Sequence, residues 1–142
     1  MKTAVAVVTA FALMAIAWFV VIMIPFLLMK VAALSGHGGG MPRVIFVPVT
    51  KCVAPVVAGY LAVTVTASLF SSVDARSLYT AFASSIATIG VFLFVVSAIA
   101  VGAGRMTWID ALQSAMQIAF VLVGAWIGRT TAISATSVRS EV

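Results

Sequence analysis

Acidic side chains are almost missing from this chain: Asp74, Asp110 and Glu141 are the three among 142 residues. Charged residues of either sign make up 8%, where a soluble domain carries about 25%. A water-facing surface of this size needs those charges, so the deficit excludes a soluble domain and a soluble enzyme. The one cysteine, Cys52, excludes an internal disulfide and a cysteine-cluster metal site. The one histidine, His37, is too little for a zinc or haem site built by this chain alone. No cofactor is expected. Paired carboxylates inside an apolar segment are absent. No Ser–His–acid set suggests itself, because His37 lies in a glycine run and each acid reads as a helix cap or a tail residue. The chain is therefore expected not to be an enzyme.

What is present is apolar. Hydrophobic residues make up 64% of the chain, gathered into runs that meet the roughly 20 residues a helix needs to cross a bilayer. The runs predict helices over about 3–29, 44–70, 75–101 and 108–128, followed by a short polar tail over 129–142. The expected fold is all-α: a polytopic integral membrane protein whose four transmembrane helices form a compact bundle, one domain over 1–142. Its first partner is the lipid bilayer, and its expected place is a membrane it crosses several times, of the bacterial inner-membrane kind. The eight Lys and Arg lie almost wholly between or at the ends of the apolar runs. That is where headgroup contacts and topology are set, so the basic balance does not point to nucleic acid.

Met1-Lys2 and the Ala15-Ile16-Ala17 triplet have the outline of a secretory signal. The uncharged run nevertheless continues to Met29, well past the 7–15 residues or so of a signal core, and a retained first helix is expected. Pro25 lacks the amide that would bond the carbonyl of Val21, which places a kink there. The first connection, Lys30 to Arg43, contains Ser35-Gly36-His37-Gly38-Gly39-Gly40 and reads as a mobile loop. It lacks the Gly-Lys-Ser/Thr ending of a phosphate-binding loop. In the second connection Asp74 is placed to cap the third helix. In the third, Gly102 to Met106 makes a tight turn, and Thr107 with Asp110 forms a capping box. Trp108 and Trp126 bracket the fourth helix about 27 Å apart, near the hydrocarbon thickness of about 30 Å. The tail from Arg129 is expected to fray.

Two sides of the membrane follow. Lys2, Arg76, Arg129 and Arg139 fall on one, and Lys30, Arg43, Arg105 and a snorkelling Lys51 on the other. Four against four gives the positive-inside rule nothing to work on. Both termini in the cytoplasm, or insertion in both directions with antiparallel pairing, stay open.

The candidate site starts from Lys51, a charge inside an apolar run, which costs about 2.5–3.5 kcal/mol on insertion scales. Pro48, Lys51, Pro55, Ala58, Ala62 and Thr66 share a helical face. Pro48 and Pro55 free the carbonyls of Val44 and Lys51. On the fourth helix Asp110, Ser114, Gln117, Val121, Gly124 and Gly128 form a matching stripe, with Gln113 beside it. Gly124-x-x-x-Gly128 is a small-residue contact motif, and Ala83, Ser84, Ala87, Thr88 and Gly90 suggest another on the third helix. Helices 2 and 4 start from the same side, and Lys51 lies about 10 Å in. Lys51, Asp110, Gln113 and Gln117 can therefore form a polar seam, within the chain or between copies. The plainer alternative is that Lys51 snorkels to headgroups and the glutamines only hold helices together. Cys52 reads as a small buried apolar thiol.

Three functions fit. One is a non-catalytic accessory or assembly component that packs by helix–helix contacts, as a homo-oligomer or in a larger membrane complex. Another is a small oligomeric transporter or pore for an anionic or polar solute, using Lys51 and Gln117. Small four-helix drug exporters have this size but rely on an acid in the first helix, which this chain does not carry. The third is a membrane-permeabilising, holin-like protein. Residues 86–128, with Gly90, Gly104-Arg105-Met106-Thr107-Trp108, Ala111-Leu112 and Gly124-Ala125, resemble the two-helix hairpin of type IV secretion and conjugative pilins. The likeness covers less than a third of the chain and implies a pilin-like membrane protein. The first two helices depart from a pilin precursor, which has one cleavable leader.

Overall fold

A computed structural model describes residues 2–34 and 48–139. Helix α1 covers Lys2–Leu34. A single π-turn over Val49–Val53 leads into α2, Ala54–Leu69. Helix α3 covers Ala75–Gly102 and α4 covers Trp108–Arg139. All four are long and apolar enough to cross a membrane, the π-turn and α2 counting as one span. The chain is a multi-pass membrane protein with four helices packed in a bundle. The glycine run with His37, and the freed carbonyl of Val44, lie outside the described residues.

Helix boundaries follow local chemistry. Asp74 is extended and its Oδ2 accepts from the Ser77 backbone N–H at 3.1 Å, so α3 starts there. At the other end of α3 the Gly104 N–H donates to Val101 O (2.9 Å) and the Arg105 N–H to Ala100 O (2.9 Å). This is the Schellman pattern, which needs a left-handed residue just past the helix. Gly104 supplies it with φ +69°. The Thr107–Asp110 capping box then opens α4: the Thr107 hydroxyl donates to Asp110 Oδ2 at 2.7 Å, and the Asp110 N–H donates to Thr107 Oγ1 at 3.3 Å.

Two expected boundaries need correction. Helix α1 runs past Met29 to Leu34, with Pro25 inside it. Lys30 is helical, its Nζ 5.7 Å from the Phe26 ring centroid, a cation–π contact that lets the ammonium stay on the helix. Helix α4 does not stop at 128, because the polar residues beyond it continue the helix to Arg139. The hydroxyls of Thr130 and Thr131 donate to Ile127 O (2.7 and 3.1 Å), and that of Ser134 to Thr130 O (3.0 Å). These side chains satisfy themselves along the helix, and no Pro or Gly follows Gly128 to end it. Thirty-two residues make α4 about 48 Å long, so its last turns project beyond a hydrocarbon core of about 30 Å.

Around the bundle the order is α1, α2, α4, α3. The α2–α4 contact is the most extensive and the closing α1–α3 contact is sparse. Helices α2 and α4 run in the same direction, as an up-down-up-down chain requires. The core joins Ala10 of α1, Ala62 and Val63 of α2, Phe82 and Ile86 of α3, and Val121 and Ala125 of α4. Phe11 and Phe82 meet at 5.1 Å, their rings tilted by 49°, and tie α1 to α3. Ala6, Val73 and Leu78 plug the end that carries the 70–74 connection.

Candidate functional site

The α2–α4 seam is the tightest in the molecule. A Cβ built on Gly59 would collide with the backbone carbonyl of Val121, and one on Gly124 with that of Val56. A Cβ on Gly128 would lie 2.7 Å from Tyr60 O and 2.9 Å from Thr64 Oγ1. Each helix thus places a glycine against the other's backbone. In lipid there is no hydrophobic gain from joining two apolar helices, so close van der Waals contact through small residues has to hold them. Pro55, Ala58, Ala62 and Thr66 are buried along α2, and Val121, Gly124 and Gly128 along α4.

The polar residues are not gathered by this seam. Lys51 and Pro48 are exposed at the π-turn, and Gln113 is exposed on α4. Gln117 is half-buried. Asp110 is exposed, and its carboxylate is occupied by Thr107. Among the described residues no hydrogen bond or ion pair links Lys51 to Asp110, Gln113 or Gln117. The π-turn explains the outward position. Pro55 has no N–H for the carbonyl of Lys51, and the preceding turn widens so that the Ala54 N–H bonds Val49 O instead. Cys52, expected to be buried, is half-exposed on a shallow apolar groove shared with Val53, Val56, Val57 and Phe120.

The third helix also departs from expectation. Its buried face is Leu78, Phe82, Ile86 and Gly90, at strict i,i+4 spacing. Of the small-residue face read from the sequence, only Gly90 is buried. Ala83 is half-buried, while Ser84, Ala87 and Thr88 face outward. The Thr88 hydroxyl bonds Ser84 O at 2.8 Å. Ala87, Gly90, Val91 and Phe94 of α3, with Ala115, Ile118, Ala119 and Leu122 of α4, line an open apolar groove of about 290 Å³.

A second polar group lies at the opposite end from Lys51. The Arg129 guanidinium carbon is 5.3 Å from the Tyr79 ring centroid, across the α4–α3 contact. Arg129 Nε is buried with no hydrogen-bond partner, and so are Thr64 Oγ1 and Thr66 Oγ1. Arg129, expected at the start of the tail, lies inside α4. The available signal was its place directly after Gly128, which turns it from the α2 seam toward α3. No group of three His, Cys, Asp or Glu able to hold a metal occurs among the described residues.

Comparison with family models, with curated proteins and with solved structures finds no match to this chain.

Proposed function

We propose that this chain is a non-catalytic accessory or assembly component of a membrane complex, set in a bacterial inner membrane, and that it joins its partner through α3. One observation carries this. The small-residue seam of α2 and α4 is used up inside the bundle, whereas Ser84, Ala87 and Thr88 of α3 lie outside it beside an apolar groove. A face of small residues lets a further transmembrane helix approach closely, and the groove, lined by Ala, Gly, Val, Ile, Leu and Phe, offers it van der Waals contact. A second copy of this chain is the first occupant to test. The native mass of the protein, solubilised in mild detergent at native expression level, is expected to exceed that of one chain. Ala87→Trp fills the groove mouth and is expected to return the mass to that of one chain without loss of helicity. A single-chain mass for the unmodified protein rules the proposal out, and a larger unrelated polypeptide at fixed stoichiometry makes the partner a different protein.

A further inference from the structure

We infer that Arg129, packed on the ring of Tyr79, and Arg76, three residues before that tyrosine on α3, bind a phosphate-type anion at the end of the bundle that carries the 70–74 connection. The guanidinium of Arg129 packs on Tyr79 with its Nε enclosed and unbonded. The residue as a whole is half-exposed, so the outer part of the donor fork faces away from the bundle. A guanidinium has five N–H donors to satisfy. No described carboxylate serves it. Asp74 is taken by the Ser77 amide and hydroxyl, and Asp110 by Thr107 at the other end of the molecule.

The position identifies the missing acceptor. Trp126 is exposed one turn before Arg129, and an indole there marks the headgroup layer. Arg129 then lies at the level where lipid phosphates are found. Arg76, exposed in the first turn of α3, precedes Tyr79 by three residues and shares its face, with the Asp74 carboxylate near enough to feel its charge. Two guanidinium groups at one end of the bundle suit a tetrahedral dianion or monoanion, since planar guanidinium engages phosphate oxygens in pairs. The phosphate can come from the headgroup of an anionic phospholipid or from a soluble phosphate.

The test uses the full chain, delipidated in detergent, with phosphatidylglycerol added back and bound lipid counted by native mass spectrometry. One retained lipid per chain is expected. Arg129→Gln is expected to weaken retention about tenfold or more, Arg129→Lys and Arg76→Gln less. Lys2→Gln, a cation at the same end, is expected to leave it unchanged. Inorganic phosphate titrated into lipid-free protein separates the sources: displacement of lipid at millimolar phosphate, dependent on Arg129, assigns a soluble ligand, and its absence assigns the headgroup. Helicity by circular dichroism checks each variant, and Arg76→Gln carries the test where Arg129→Gln misfolds. Equal retention by the unmodified chain and the arginine variants overturns the inference, as does an equal loss with Lys2→Gln.

Discussion

What a single added methyl group costs here depends on what it strikes. At Gly59 and Gly124 it meets a backbone carbonyl of the neighbouring helix, which can yield only if the helices part. Gly59→Ala and Gly124→Ala are each expected to destabilise the bundle by about 1–3 kcal/mol, the usual cost of overpacking. At Gly90 the methyl meets Ile118 Cγ2 at 3.0 Å, the branch of a side chain that can turn, so Gly90→Ala costs less. At Gly102 it meets nothing, and Gly102→Ala is expected to be neutral or slightly stabilising. Unfolding in mixed detergent–SDS micelles ranks the four. Gly124 and Gly128 were legible because they repeat at spacing four. Gly59 was not, since its neighbours at that spacing are Pro55 and Val63, and only the partner backbone shows why glycine is needed. Asp74 offers a pH test at the same scale. The Ser77 backbone N–H, chiefly, holds its carboxyl below the ordinary range. Its cap is thus fully present above the unfolded pKa of about 3.9 and is lost as pH falls through the lower folded value. Amide exchange at Ser77 is expected to accelerate only in that acid window, and Asp74→Asn to flatten the dependence.

At the scale of the element, proline decides one turn and hydroxyls another. Pro55 was legible as the cause of an under-bonded carbonyl, but the response of the chain, a π-turn, depends on neighbours that have to accommodate it. Pro55→Ala restores the missing donor. The π-turn is then expected to tighten to α, rotating residues before it by about 100° relative to α2. Cys52 reports this, because it shares a groove with Phe120. In the Phe120→Cys background a short bismaleimide is expected to link the two thiols, and adding Pro55→Ala is expected to abolish the link. Persistence of the link would mean that the π-turn is set by something other than Pro55. The faces of α3 were harder to read. In a soluble helix the polar side marks the outside, whereas every side of a membrane helix is apolar and the inside is chosen by shape. Phe82 fits the gap between α1, α2 and α4, and Leu78 packs against α1, α2 and the 70–74 connection, so bulk was buried and Ala87 was left outside.

At the scale of the whole molecule, length and apolarity foretold four spans and their alternation, because the bilayer imposes both. They could not foretell the order around the bundle. That order puts α4 between α2 and α3, and so places Arg129 over Tyr79 instead of in a free tail. It also leaves the direction of insertion undetermined by packing. By their place in the sequence the eight basic residues divide four and four between the two sides, and among the described ones Arg129 is partly withdrawn against an aromatic ring and Lys51 is exposed near the other end. A balance this even is expected to respond to small changes, since orientation follows the lysine and arginine bias of short connections. Ser71 and Ser72 are exposed in the connection between α2 and α3. Replacing both by arginine raises that side from four to six while leaving every helix intact. Reporter fusions after Arg139, active on one side of the membrane only, are expected to show the C-terminal end fixed in the cytoplasm for Ser71→Arg/Ser72→Arg. The opposite change, Gly102→Arg with Ala103→Arg, is expected to place it outside. If both variants report the same side as the unmodified chain, charge does not set the orientation, and the α3 face proposed to take a partner helix is the one to alter next, by Ala87→Trp.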